Sequence, residues 1–246
     1  MICDINMPNW SPISTIINSQ AKAFELFLRT QIFDDESWKI IQDITKASEL
    51  YIFSGIIRDF LTGDYNGFRD IDLVLAENKY FNRFIKILLK NDIVSLDFNQ
   101  FGGIKITFNN LHIDVWKIED TWGIKNEKKE ATADSLVDSA FFNFQAIVYS
   151  IHQHRFIFHD DFCRFLEMRV MDVVYDKNPN EALCVVNVCH YWTLYNYGIS
   201  RKLTLWLKKH YKKNKDLLLV QQRHFGRILY SIEYIDKFIK NLFAQL

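Results

Sequence analysis

Apolar positions in residues 14–32 and 36–48 recur three and four apart, the spacing that lines one face of a helix, and Asp34, Asp35 and Ser37 supply capping groups for the second run. The period then changes. ELYIFSG (49–55) is a short run of aromatic and β-branched residues stopped by Ser-Gly, which predicts a strand. IIRDFLTG (56–63) returns to helical spacing and ends at Gly63, DYNGFR (64–69) reads as a turn-rich loop, and DIDLVLA (70–76) predicts a strand with strict alternation at its start. Residues 78–91 predict an amphipathic helix with Lys79, Arg83, Lys86 and Lys90 on its outer face. Three short strands follow, DIVSLDF, GGIKITFN and NLHIDVWKI, the last two joined at the Asn109-Asn110 pair, a hairpin turn signal. Gly102-Gly103 suits a bulge or a close approach of strands. The order over 36–118 predicts a mixed sheet with helices packed against it.

Beyond residue 131 strand signals thin out. DSLVDSAFFNFQAIVYSI (134–151) predicts a helix and HRFIFHD (154–160) a short strand. Residues 161–175, 180–197, 200–213 and 216–245 predict helices, with breaks at Asn178-Pro179 and Gly198. The expected fold class is α+β, a mixed sheet flanked by helices and followed by an all-helical C-terminal region. The expected division is an N-terminal helical extension over 1–35, a head over 36–130 and a helical region over 131–246.

Composition narrows the class. The 246 residues are 49% hydrophobic and 24% charged, which excludes a disordered chain or a collagen-like fibre. No uninterrupted apolar run approaches the ~20 residues of a membrane span, so no membrane partner is expected. The start, MICDINMPNW, lacks the layout of a signal peptide, and Cys3, Cys163, Cys184 and Cys189 form no CxxC pair, so the expectation is a cytoplasmic protein with free thiols. Thirty basic residues balance thirty acidic ones, but unevenly: residues 201–246 carry 11 Lys or Arg against 3 Asp or Glu, and residues 1–200 carry 19 against 27. The densest stretch, RKLTLWLKKHYKKNK (201–215), has seven basic side chains and no acidic one. It reads either as a solvated helix face or as a grip for a polyanion.

The chemistry begins at Asp70-Ile71-Asp72. Alternation along a strand points both carboxylates to one face, roughly 7 Å apart, on a strand whose Ile71 and Leu73-Val74-Leu75 mark it as core. Two like charges there are costly unless a cation joins them, and carboxylate oxygens suit a hard ion such as Mg²⁺. LHIDVW is a second alternating strand that turns Asp114 away from Ile113 and Val115. Paired beside 70–75, it brings three carboxylates to one patch, an arrangement able to hold two divalent ions. Upstream, Ser54-Gly55 sits at a strand-to-helix turn whose free N–H groups form an anion site, and Arg58, one turn on, adds positive charge.

In that order, IFSGIIRDFLTGDYNGFRDIDLVL resembles the signature of the head domain of tRNA CCA-adding enzymes and bacterial poly(A) polymerases, and FNQFGGIKITFNNLHIDVW resembles its continuation. The resemblance runs continuously over about 50–120 and implies the DNA polymerase β-like nucleotidyltransferase fold. It implies that Asp70 and Asp72 bind two Mg²⁺ ions, with Mn²⁺ as a substitute, and that Asp114 completes the metal and catalytic site. Ser54, Gly55 and Arg58 would hold the nucleotide's triphosphate. The implied reaction is attack of a hydroxyl on the α-phosphate of an NTP or dNTP, releasing pyrophosphate. Adenylate is the preferred group. The acceptor is a nucleic-acid 3′-hydroxyl gripped along 201–215, a nucleotide growing into an oligonucleotide, or a protein hydroxyl. Small enzymes of this superfamily serve in phage defence and toxin–antitoxin modules, which extends the expectation to that setting by analogy of class. FNFQAIVY (142–149) and EALCVVNVCHYW (181–192) align with later family helices, but Cys184 and Asn187 stand where the family carries base-reading arginines. The alternative from another class is a catalytically silent nucleotide- or RNA-binding module of the same fold.

Other groups compete weakly. His152, His154 and His159 with Asp160-Asp161 read as a polar turn before a metal site, Lys125, Lys128 and Lys129 as a solvated loop before a lid on a triphosphate. Trp206 and Tyr211 are available either for the core or for base stacking.

Overall fold

The computed structural model describes residues 2–3, 11–46, 48–64, 70–76, 81–90, 95–98, 103–108 and 111–246. A two-residue strand, β1 (Ile2–Cys3), precedes α1 (Ser11–Ser19), α2 (Ala21–Phe27), a π-helical turn over Leu28–Ile32, and α3 (Asp35–Thr45). The single helix expected over 14–32 is thus two helices and a turn, yet Ile17, Ala21, Phe24 and Leu28 still form one buried line at helical spacing. Asp34 caps α3, its carboxylate accepting the Ser37 backbone N–H at 2.7 Å.

The next elements follow the predicted order: β2 (Leu50–Phe53), α4 (Gly55–Thr62), β3 (Ile71–Leu75), α5 (Phe81–Leu88), β4 (Ser95–Phe98), β5 (Ile104–Phe108) and β6 (Leu111–Lys117). Gly63, at φ 74°, ends α4 in the left-handed conformation that favours glycine. The loop at 65–69, Lys79, Gly102 and the Asn109-Asn110 pair lie outside the described residues. The register on either side of that pair puts Phe108 opposite Leu111, as a two-residue hairpin connection requires.

After α6 (Trp122–Glu127) and α7 (Ala133–Asp138) the chain departs from expectation. The helix predicted over 134–151 stops at Asp138 and gives way to a 3₁₀ turn over Asn143–Gln145 and a strand, β7 (Ile147–Ser150). All four residues of β7 are buried, so it shows no alternation, and periodicity alone does not separate such a strand from a buried helix. Asn143 also holds the backbone out of a helix. Its side chain donates to the Val170 carbonyl and accepts from the N–H groups of Phe144 and Asp172, each at 2.9 Å. The strand expected over 154–160 is present as β8 (Arg155–Phe158).

These seven strands form one mixed sheet in the order β4-β5-β6-β3-β2-β7-β8, in which only β3 and β6 run parallel. The sheet therefore continues past the division expected at 130/131, and the region after 131 is not all helical. Beyond it come α8 (Asp160–Met168), β9 (Val170–Met171), α9 (Glu181–Tyr195), β10 (Gly198–Ser200), α10 (Arg201–His210), α11 (Asp216–Phe225) and α12 (Ile232–Phe243). Two predicted helices are shorter than expected. The one over 161–175 ends where Arg169 turns left-handed, and the one over 216–245 is split at Gly226, φ 70°. The parallel trio β1-β10-β9 makes a second, small sheet.

The large sheet is covered on both faces. Ile71, Leu73, Leu75, Ile104, Ile106, Ile113 and Val115 belong to the main core with α1 to α5 and the C-terminal helices. Tyr51, Val74 and Val148 point the other way, into a smaller cluster with Ile118, Ile124, Leu136 and Val137. Among the described residues no helix is long and apolar enough to cross a membrane.

Candidate active site

The second face of the sheet is apolar at one end and charged at the other. Directly paired residues in neighbouring strands point the same way, and the registers join Ile157, Val148, Phe53, Asp72, Asp114, Lys105 and Asp97 into one row across β8, β7, β2, β3, β6, β5 and β4. The apolar end of this row lies beside the smaller cluster that α6 and α7 help to form. Where that cover ends, the charges begin. Asp72 stands directly opposite Asp114 on the parallel pair β3–β6, and Asp70, two residues before Asp72, shares its parity. The three aspartates are half-buried and line one cavity of 990 Å³.

Like charges directly opposite in a sheet destabilise it, so this pairing does not serve the fold. Lys105, opposite Asp114 on its other side, places its ammonium 3.6 Å from the Asp114 carboxylate. Three carboxylates lining one cavity are the kind of donor a hard divalent ion takes, and to that extent the residues present fit Mg²⁺. As they stand, no group of three or more His, Cys, Asp or Glu side chains among the described residues is gathered closely enough to hold an ion.

The same cavity reaches the strand-to-helix turn. Ser54 occupies φ 53°, ψ −90°, a conformation that L side chains seldom adopt, and its hydroxyl makes no capping bond to α4. Its N–H is anchored to the Ile147 carbonyl at 3.0 Å. The first N–H groups of α4 have no partner within the helix, and Ser54, Gly55 and Ile56 line the cavity. A Cβ added to Gly55 would meet nothing within 4 Å, so the space before it is open.

Arg58 is placed differently from Ser54 and Gly55. It lines the cavity but is only 4% exposed, with Nε donating to Asp59 Oδ1 at 2.7 Å and Nη1 to the Tyr191 hydroxyl at 3.1 Å. The rings of Tyr191, Phe144 and Tyr195 lie 4.9, 5.6 and 5.7 Å from its guanidinium carbon. Burial pushes the Asp59 carboxyl above its ordinary range, against the pull of Arg58. The described contacts of Arg58 therefore tie α4 to α9.

Sequence reading missed several residues of this wall. Lys105 and His112 could have been found, because a two-residue turn at 109–110 sets Lys105 opposite Asp114 by counting. His190 and Tyr191 from α9, and Arg223 and Arg227 around the end of α11, carry no such signal, and the fold alone brings them to the cavity; Cys184 and Asn187, set by the resemblance at the base-reading positions, line the same cavity.

The remaining candidates lie elsewhere. Trp206 is buried, edge-on to Phe141 at 4.7 Å and stacked on His210 at 4.5 Å, so it belongs to the core, and the half-buried Tyr211 donates its hydroxyl to Asp236 at 3.1 Å. His154 pairs with Glu25 at 2.8 Å while His159 caps α8 by accepting from the Asp161 N–H at 3.1 Å. Lys125 pairs with Asp120 at 3.4 Å, and Lys129 lies 5.9 Å over the Tyr175 ring.

Solved structures decide what this arrangement is similar to. A tRNA nucleotidyltransferase complexed with a primer tRNA and an incoming ATP analog superposes with a TM-score of 0.59 at 16% identity, over 83% of this chain and 60% of the other. The fold is that of the tRNA nucleotidyltransferases. A CCA-adding enzyme complexed with CTP matches with a TM-score of 0.62 at 14% identity, over 86% of this chain and 53% of that one. The Thermotoga maritima CCA-adding enzyme complexed with tRNA gives 0.60 at 14% identity, over 86% and 52%. The chain thus spans between about half and three fifths of the length of these structures, and at such identities the likeness is one of fold. No family model matches the chain, and no curated protein matches its sequence.

Proposed function

We propose that the chain is a Mg²⁺-dependent nucleotidyltransferase that moves a nucleoside monophosphate, adenylate first among the candidates, from a nucleoside triphosphate to a hydroxyl acceptor. The observation that carries this reading is the direct pairing of Asp72 with Asp114 at the mouth of a cavity whose wall includes the Ser54-Gly55 turn. The N–H groups at the start of α4 would receive the triphosphate, with open space beside Gly55. Asp70, Asp72 and Asp114 would hold the divalent ions, which when bound neutralise the phosphates and activate the attacking oxygen. The acceptor oxygen bonds to the α-phosphorus, the bond to the β-phosphate bridging oxygen breaks, pyrophosphate leaves, and the hydroxyl proton passes to solvent. The similar structures hold an ATP analog, CTP and tRNA, which supports a triphosphate in this cavity.

Incubation with each α-labelled NTP and dNTP, with and without tRNA, tests the proposal. Wild type is expected to incorporate label with Mg²⁺ or Mn²⁺ and to stop in EDTA. Asp72→Asn and Asp114→Asn are each expected to lose at least about 100-fold, the loss that several kcal/mol of missing charge stabilisation produces. Nucleotide binding without incorporation of label by wild type, as by both variants, would establish the second reading, a silent nucleotide-binding module. That reading is favoured by the Lys105 ammonium beside Asp114, a cation already supplied by the protein.

A further inference from the structure

The basic stretch at 201–215, the sequence's candidate for a nucleic-acid grip, contributes no residue to the cavity. Its polar groups are partly committed elsewhere: Lys213 pairs with Asp236 at 3.1 Å and His210 with Glu181 at 2.7 Å. Besides Lys105 and the buried Arg58, positive charge reaches the cavity from the bend between α11 and α12, where Arg223, His224 and Arg227 are exposed and line the wall. No carboxylate among the described residues forms an ion pair with Arg223 or Arg227. The bend is built to hold them there. Gly226 takes φ 70°, its carbonyl accepts from Gln222 Nε2 at 2.7 Å, and Phe225 packs on His190 of α9 with ring centres 4.9 Å apart.

We propose that this arginine bend grips the backbone phosphates of a single-stranded nucleic-acid acceptor, whose 3′-hydroxyl enters the cavity toward Asp72 and Asp114; the proposal rests on the transferase reading. Two observations separate this site from the one for the triphosphate. Different elements carry the two groups: the arginines belong to the end of α11, which packs on α9, and the Ser54-Gly55 turn opens α4, which meets α9 through Arg58 and Tyr191. The volume, 990 Å³, is at the top of the ~300–1,000 Å³ range of pockets that enclose one small ligand, leaving room for a terminal nucleotide beside the triphosphate. Exposed arginines with no ion pair among the described residues suit phosphodiester contacts, which gain by releasing counterions.

The test uses the full chain, a fluorescent 20-nucleotide single-stranded RNA read by anisotropy over a salt series, and a fluorescent ATP analogue with Mg²⁺. Arg223→Gln/Arg227→Gln is expected to weaken RNA binding about tenfold or more and to flatten the salt dependence by about 1.4, ~0.7 for each phosphate contact to a single strand. ATP-analogue binding should be unchanged, and Arg223→Lys/Arg227→Lys should retain most RNA affinity, which separates lost charge from lost structure. Lys208→Gln/Lys209→Gln on α10 should bind RNA as wild type does. RNA binding that ignores the bend, or fails only in the α10 variant, overturns the proposal, as does wild type that binds no RNA. Loss of ATP-analogue binding with RNA binding intact overturns it too, by assigning the arginines to the nucleotide. If wild type transfers no label while RNA binding still depends on the two arginines, the transferase reading fails and the grip stands.

Discussion

Arg58 stands where the family resemblance implies a phosphate-binding cation, and its surroundings give it a structural task as well. A buried guanidinium whose partners are a buried carboxylate and a tyrosine hydroxyl leaves a large electrostatic deficit when removed. Arg58→Met is therefore expected to destabilise the protein by about 3–5 kcal/mol, because Asp59 would remain in a dry site without its partner. Urea denaturation measures this. A change below about 1 kcal/mol would mean that the guanidinium is free to swing into the cavity, leaving phosphate binding as its main task. The residue pattern foretold that Asp70, Asp72 and Asp114 share one face of the sheet, because strand parity is a local property. It did not foretell the surroundings of Arg58, since Tyr191 is 133 residues away along the chain.

At the scale of elements, the C-terminal helices are tied by Asp236 of α12. Its carboxylate accepts from Lys213 at 3.1 Å and from Tyr211 at 3.1 Å, and Lys240 lies 2.9 Å away. Hydrogen bonds from Lys240 and then Lys213 hold its pKa down to about 2, below the ordinary 3.8. A depressed acid contributes stability that is fully present above its unfolded value and is lost as pH falls through the folded one. Wild type should thus be more stable than Asp236→Asn above pH 4, and the difference should shrink progressively between pH 3.8 and 2 in melting curves. A difference constant across that window would show that the lost packing, rather than the charge, sets the effect. Elements with a polar face, such as α3 and β6, were legible in the sequence. β7 was not, because a strand buried on both sides presents the same unbroken apolar run as a buried helix.

For the molecule as a whole, the decisive feature is that the sheet draws strands from both sides of residue 130. β2 sits between β3 and β7, so a fragment of residues 36–130 would expose the β2 edge and strip the apolar partners Val148, Leu136 and Val137 from Tyr51 and Val74. Such a fragment is expected to lack a cooperative thermal transition by circular dichroism, whereas the full chain unfolds cooperatively. A sharp transition in the fragment would restore the boundary at 130/131.

The chain by itself determined the parts of this protein that depend on neighbours in sequence: the helix and strand periods of the first 118 residues, the parity of Asp70, Asp72 and Asp114, and the Ser-Gly break before α4. Only the tertiary structure decided that β7 and β8 complete the sheet, that Arg58 is locked against α9, and that the exposed basic side chains facing the cavity include those of the α11–α12 bend and none of the 201–215 stretch. The physical reason is range. Alternation and capping are fixed within a few residues, whereas burial on both faces and the meeting of distant charges exist only once the chain has closed on itself.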